Sequence, residues 1–148
     1  MNRALLPTCA LAALMAVSSP GLAADAAVGD LRIVGAYARA TPPGATTAGA
    51  YLTIDNRGAR DRLVGASSTA AGAVEIHTMQ NDRGVMRMRA VWQLEVPARG
   101  RVALVPGGIH LMIIEPKAPL REHERFPVRL VFERAGPVDV ELEVRPLK

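Results

Sequence analysis

The sequence predicts an all-β fold, an antiparallel β-sandwich or barrel, formed by one domain of a 148-residue chain. Beyond residue 24, no long segment has the 3.6-residue apolar period of an amphipathic helix. Instead, short runs rich in β-branched residues alternate with clusters of Gly, Pro, Asn and Asp. This pattern is typical of short strands joined by tight turns, and it favours a sheet fold over any helical class.

The first 24 residues are predicted to be a signal peptide. Arg3 precedes an apolar run, and small residues near position 24 suit cleavage. The run is too short, and too broken by Pro7, to span a bilayer. Lipidation at Cys9 is disfavoured because most of the apolar run follows that residue. We therefore expect export to the periplasm, with residues 25–148 as a mature domain that contains no cysteine.

The remaining chain divides into nine predicted strands, each a run of apolar or β-branched residues that ends at a turn cluster. In chain order they are Leu31–Arg39, Gly49–Asp55, Arg62–Ser67, Val74–Met79, Val85–Trp92, Arg101–Leu104, Ile109–Glu115, Val128–Glu133 and Val138–Val144. The segment Asp25–Asp30 is expected to be a loose leader into the first strand.

The turn predicted at Asn81–Gly84 is the most informative for function. It joins the strands Val74–Met79 and Val85–Trp92 into a hairpin. The strand Ile109–Glu115 then lies either beside this hairpin or across from it, and the sequence leaves that choice open.

Three short motifs on these strands pair soft or imidazole side chains across one intervening residue: His77-Thr78-Met79, Met86-Arg87-Met88 and His110-Leu111-Met112. Side chains at i and i+2 share a face of a strand, so each motif presents two potential metal ligands side by side. The two histidine motifs face away from the aliphatic side chains of their strands. The pair Met86 and Met88 is ambiguous, because it shares a face with Ala90 and Trp92 and could be ordinary packing.

Thioether sulfur together with imidazole nitrogen favours Cu(I). Hard cations need carboxylates, and zinc takes Cys, His or carboxylate ligands. All four methionines beyond residue 24 lie between His77 and Met112, which argues against methionine used only as core filler. The residues therefore predict a copper site with six candidate ligands.

Composition excludes several other functions. The formal net charge of +4 is compatible with an acidic partner, but the basic residues are dispersed and aromatic residues make up only 3%, which argues against nucleic-acid binding. No nucleophile–base arrangement or phosphate-binding loop is present, so we expect a binding protein and not an enzyme. His123 is expected to be solvated, and Trp92 is expected to pack.

The spacing of His77, ten residues, Met88, twenty-one residues, His110, one residue and Met112 resembles the H-x10-M-x21-H-x-M signature of the periplasmic PCuAC-type copper chaperones. Met79 matches an additional methionine often found after the first histidine of that family. Flanking segments resemble the family as well, and they are Ala36–Gly44, Ala50–Ile54, Pro106–Met112 and Leu130–Gly136.

This resemblance implies a cupredoxin-like β-sandwich that carries Cu(I) through His77, Met88, His110 and Met112. Met79 and Met86 are additional candidate ligands. The resemblance also implies delivery of copper to an acceptor, either the binuclear copper centre of cytochrome oxidase or another copper chaperone. We expect a monomer without a nucleic-acid partner.

Two alternatives give different expectations. A metal-free β-sandwich interaction module would use the Met-rich hairpin as an apolar docking patch, would take up no Cu(I) and would tolerate Met88→Leu. A copper redox enzyme is disfavoured because the mature domain has no Cys ligand of the blue-copper type.

Overall fold

The structure is a computed structural model that describes residues 25–148, so the predicted signal peptide lies outside the described residues. These residues form eleven strands. The strands are β1 (Ala26–Val28), β2 (Leu31–Arg39), β3 (Thr47–Asn56), β4 (Asp61–Ser67), β5 (Ala71–Asp82), β6 (Val85–Val91), β7 (Leu94–Val96), β8 (Arg101–Leu104), β9 (His110–Pro116), β10 (Arg125–Phe132) and β11 (Gly136–Arg145).

Seven of these strands close into a barrel in the order β2, β11, β10, β4, β5, β9 and β3, after which β3 pairs with β2. Neighbouring strands are antiparallel except β11 and β2, which pair in parallel. Strands β1, β6, β7 and β8 add to this barrel at β2, β5, β4 and β3. The predicted all-β fold is confirmed. Across residues 25–148, the structure contains no helix with the length and apolarity needed to cross a membrane.

Most of the core consists of alternate side chains of the barrel strands, as the alternation of strand faces requires, and β7 and β8 contribute Val96 and Leu104. On β9, for example, Leu111 and Ile113 are fully buried, whereas Met112 lies on the outer face. Burying each such aliphatic side chain stabilises the fold by about 1.5–3 kcal/mol. The largest fully buried side chains are Phe132, Leu31, Ile33, Ile54, Leu63, Leu104, Leu111, Ile113, Leu130, Leu142, Val96 and Val128.

A β-bulge in β2 changes which residues face the core. Val34 pairs with Thr53 of β3 and Tyr37 with Tyr51, so β2 has one extra residue between these pairs. Gly35, with φ of 62°, supplies the left-handed backbone at this point. The bulge puts Tyr37 on the outer face, beside Tyr51.

Two buried polar side chains, Asn56 and Asp61, close the barrel at one end, and we refer to them as the polar anchor. Asp61 accepts hydrogen bonds from the backbone N–H groups of Arg62 (2.8 Å), Arg134 (2.9 Å) and Ala135 (3.0 Å). Asn56 donates to the carbonyls of Ala59 (2.8 Å) and Pro97 (3.1 Å), and its side-chain oxygen accepts from the N–H of Gly58. The anchor thereby ties the loops at this end to the barrel.

Burial acts to raise the pKa of the Asp61 carboxyl group. The backbone N–H donors of Arg134, Arg62 and Ala135, with the charge of Arg134, together lower the pKa by more, so it lies below its ordinary value.

Three expectations from the sequence need correction. The segment Asp25–Asp30 is not a loose leader, because Ala26–Val28 pairs with Leu31–Ile33 as strand β1. Strand β7 was not predicted, and it pairs with Asp61–Leu63 of β4. Strand β5 extends beyond the predicted end at Met79 to Asp82, because β6 continues to pair with it.

Candidate metal centre

Strands β5 and β9 are adjacent, and their register places His77 directly opposite His110. The two imidazole ring centroids are 5.8 Å apart, with an angle of 57° between the ring planes. The strand of His110 therefore lies beside the hairpin, which settles the choice left open by the sequence. Two imidazoles at this separation can contribute to one small site.

The β5–β6 hairpin brings the methionines to the same place. Its turn consists of Arg83 and Gly84, with φ of 53° and 87°, which is the left-handed pair required for a two-residue type I′ turn. The resulting register places Met79 opposite Met88. Ala90 lies opposite His77, so Met88 is one step along its face from the first histidine.

All six candidate ligands lie on the outer face of the sheet. His77 and Met79 alternate with the buried Ile76 on β5, and His110 and Met112 alternate with the buried Leu111 and Ile113 on β9. The ambiguity of β6 is removed because cross-strand partners share a face, so Met86 and Met88 lie on the outer face with His77. Met86 lies opposite Asn81, nearer the tip of the hairpin.

Burial differs sharply across this face. His110 is only 5% exposed although it points away from the barrel core, and the side chain of His77 is 14% exposed. Met88 is 47% exposed, because it lies on β6, a strand whose residues are almost all exposed. This face thus presents two enclosed imidazoles and one exposed thioether.

His110 is oriented by a hydrogen bond that its Nδ1–H donates to the carbonyl oxygen of Gly108, at 2.9 Å. A carbonyl only accepts, so in the neutral imidazole the lone pair is on Nε2. Outer partners of this kind fix the ring and tautomer of metal-binding histidines.

His77 is oriented by Glu75, which lies two residues earlier on the same face. The Nε2–H of His77 donates to the Glu75 carboxylate at 2.8 Å, which leaves the lone pair of the neutral ring on Nδ1. Within residues 25–148, this Nδ1 is the one buried side-chain nitrogen or oxygen without a hydrogen-bond partner. An unpartnered buried polar atom is costly, so this lone pair is available to a partner that binds beside the second histidine.

The contact of Glu75 with His77 was not predicted from the sequence, because carboxylates were considered only as ligands for hard cations. Its i, i+2 spacing from His77 was the available signal. Two other residues were singled out from the sequence. His123 is exposed, as expected. Trp92 was expected to pack, but it is 93% exposed.

The described residues contain no group of three or more His, Cys, Asp and Glu side chains arranged to hold a metal. The donors that share a face with the two imidazoles include four thioethers. A metal bound by both histidines would therefore meet soft sulfur, and soft ligands select soft ions.

Comparison with known proteins identifies related sequences. Residues 31–144 match the model of a family described as "Putative lipoprotein LpqE-like". A protein of Leifsonia xyli subsp. xyli, "Putative lipoprotein Lxx21020", is 29% identical over 142 residues, which cover 95% of this chain and 82% of that protein.

Solved structures share the fold. The copper-bound PCuAC domain from PmoF2 superposes with a TM-score of 0.72 at 27% identity, covering 83% of this chain and 98% of that domain. The solution structure of CuI-DR1885 from Deinococcus radiodurans superposes with a TM-score of 0.62 at 29% identity, covering 80% of this chain and 78% of that one. The cupredoxin-like fold of PCuAC domains is therefore the fold of this chain.

Proposed function

The chain belongs to the LpqE-like family, and on that premise we propose that it is a copper chaperone, which binds Cu(I) and passes it to an acceptor protein. The observation that carries this proposal is the enclosed His77–His110 pair, in which the buried Nδ1 of His77 has no partner. The likeness to a copper-bound domain of the same fold supports it.

We assign His77, His110, Met88 and Met112 as the copper ligands. Met112 shares the outer face of β9 with His110, and Met88 lies one step from His77 across the hairpin. Met79 is opposite Met88 and remains an additional candidate. Met86, which is farther out at Asn81, is the least favoured of the six candidates.

This donor set suits a carrier better than an enzyme. Cu(I) accepts trigonal or tetrahedral arrangements of soft and imidazole donors, and thioethers are neutral ligands that an acceptor can replace one at a time. The exposed Met88 is the natural first ligand to be displaced.

We further propose that the protein acts in the periplasm as a monomer after removal of residues 1–24. The acceptor in this proposal is the copper-centre subunit of cytochrome oxidase or another copper chaperone. Because the family is named for lipoproteins, a lipid at Cys9 is the competing form of the N-terminus. The intact mass of the exported protein distinguishes them, since a chain starting at Cys9 and carrying a lipid would contradict cleavage near residue 24.

Anaerobic Cu(I) titration of residues 25–148, with X-ray absorption spectroscopy of the complex, tests the site. We expect one Cu(I) per chain in a shell that contains both nitrogen and sulfur. A shell without sulfur would contradict the assignment of Met88 and Met112, and absence of uptake would favour the metal-free interaction module.

A matched pair of variants locates the ligand on β6. Met88→Leu should weaken Cu(I) binding by about tenfold or more, whereas Met86→Leu, on the same face of the same strand, should bind within about twofold of the wild type. Equal effects of the two substitutions would contradict the choice of Met88.

A further inference from the structure

Two tyrosines, Tyr37 and Tyr51, extend the outer face of the copper site toward β3 and β2. The ring centroid of Tyr51 lies 6.4 Å from that of His110, and the rings of Tyr37 and Tyr51 are 5.1 Å apart. The rings of His77, His110, Tyr51 and Tyr37 therefore form a continuous row across four adjacent strands. We call Tyr37 and Tyr51 the tyrosine wall.

Gly49 leaves room for the ring of Tyr51 to lie along its own strand, β3, which neighbours β9. A Cβ placed on Gly49 would lie 2.5 Å from the phenol oxygen of Tyr51 and 3.1 Å from the ring carbon that carries it. Gly49 is also the register partner of Met112. The phenol end of Tyr51 therefore points along β3 toward the level of Met112, and its ring lies on the same face as His110.

The ring of Tyr37 is held in turn by a residue of the neighbouring strand β11. The guanidinium carbon of Arg145, on β11, lies 4.4 Å from the ring centroid of Tyr37, a cation–π contact. The Nε of Arg145 also pairs with Glu143 at 3.2 Å, which restrains the arginine. Burial raises the pKa of the Tyr51 phenol, Tyr37 raises it further, and Arg39 opposes them.

The β6 side of the site is more exposed than the side that faces the tyrosine wall. Met88 is 47% exposed on the hairpin, whereas His110, next to the tyrosine wall, is 5% exposed. We propose that Tyr51 is a positioning residue that closes the β3 side of the copper site, so that Cu(I) enters and leaves on the β6 side, past Met88. This inference rests on the proposed function.

The rate of copper release tests the inference. Protein loaded with one Cu(I) is mixed anaerobically with an excess of the chelator bathocuproine disulfonate, and the first-order release rate is measured. Tyr51→Leu, which keeps an apolar side chain but removes the ring, should raise the rate by about tenfold, the lower range for loss of an outer partner of a metal ligand. Tyr51→Phe should release copper within about twofold of the wild-type rate, because the ring carries the effect.

Further variants separate this role from a general loss of packing. Gly49→Ala leaves Tyr51 in the sequence but displaces its ring, so it should also speed release. Thr53→Ala, on the same face of β3 and farther from Met112, is the matched control and should not. X-ray absorption should show the same nitrogen and sulfur ligands in all variants, because Tyr51 positions a ligand and does not coordinate.

The outcomes distinguish the two proposals. If the wild type binds Cu(I) and both Tyr51→Leu and Gly49→Ala release it at the wild-type rate, the role of Tyr51 is wrong and the chaperone proposal stands. If only one of the two variants folds, as judged by its urea unfolding midpoint, its rate decides. Absence of Cu(I) uptake by the wild type overturns both proposals.

Discussion

The polar anchor and the proposed copper site both bury polar atoms, but the hydrogen bonding of those atoms differs between the two regions. Each buried oxygen and nitrogen of Asn56 and Asp61 has a partner, and Asp61 alone accepts three backbone hydrogen bonds. At the site, the Nδ1 of His77 is buried without one. The difference separates the two uses of buried polarity: satisfied groups stabilise the fold, whereas an unsatisfied group is tolerated where something else binds.

The largest expected effect is on the anchor. Asp61→Ala leaves three backbone N–H groups without their acceptor, so the free energy of unfolding should fall by about 3 kcal/mol. Urea denaturation measures this change, and Cu(I) affinity of the folded fraction should stay within about twofold of the wild type. A large loss of affinity in Asp61→Ala would mean that the two regions are not independent.

At the proposed copper site we expect the reverse: a substitution should change stability little and Cu(I) affinity strongly. His77→Leu removes the unpartnered nitrogen, so the free energy of unfolding should change by less than about 1 kcal/mol. Cu(I) affinity, however, should fall by about 100-fold, equivalent to about 2.7 kcal/mol. A destabilisation as large as that of Asp61→Ala would show that His77 is a structural residue, and calorimetry of both variants makes the comparison.

A smaller effect is expected for the carboxylate that holds His77. Glu75→Ala should weaken Cu(I) binding by about tenfold, because the imidazole loses the acceptor that orients it. Glu75→Gln keeps an accepting oxygen and should recover most of the affinity. If both variants bind as the wild type does, Glu75 has no part in orienting the ligand.

The smallest effect is a pH dependence of stability. Because the pKa of Asp61 is lower in the folded protein than its ordinary value, its contribution is fully present above the unfolded value of about 3.9 and is lost as the pH falls through the folded pKa. Unfolding free energies measured between about pH 5 and pH 2 should fall more steeply for the wild type than for Asp61→Asn. Parallel curves would contradict the lowered pKa.

Much of this fold was predictable because its strands carry a local signal. The bounds of β2, Leu31–Arg39, were predicted correctly, since its apolar residues alternate and it ends before a Pro-Pro-Gly turn. Strands β1 and β7 were missed because three residues are too few for a period to show. The extension of β5 to Asp82 was missed because Asn81 and Asp82 resemble turn residues, although pairing with β6 keeps them in the strand.

For the candidate site, the direction of the side chains was predictable from the sequence, but their arrangement across strands was not. The outward direction of His77 and His110 followed from the neighbouring Ile76 and Leu111. Their position opposite one another depends on the register of β5 and β9, which are distant in sequence, and no local pattern encodes it. The contact of Tyr51 with His110 was not predictable for the same reason, because it requires β3 to pair with β9, which is distant in sequence.

The two-residue turn at Arg83–Gly84 has a consequence for how this sequence can change over evolution. With the turn fixed, paired positions in the hairpin have residue numbers that sum to 167, so the ten residues between His77 and Met88 place Met88 opposite Met79, one step along the face from His77. A single-residue insertion in β6 between Gly84 and Met88 would move the sulfur to the opposite face of the sheet. Insertions and deletions of one residue should therefore be purged from this segment.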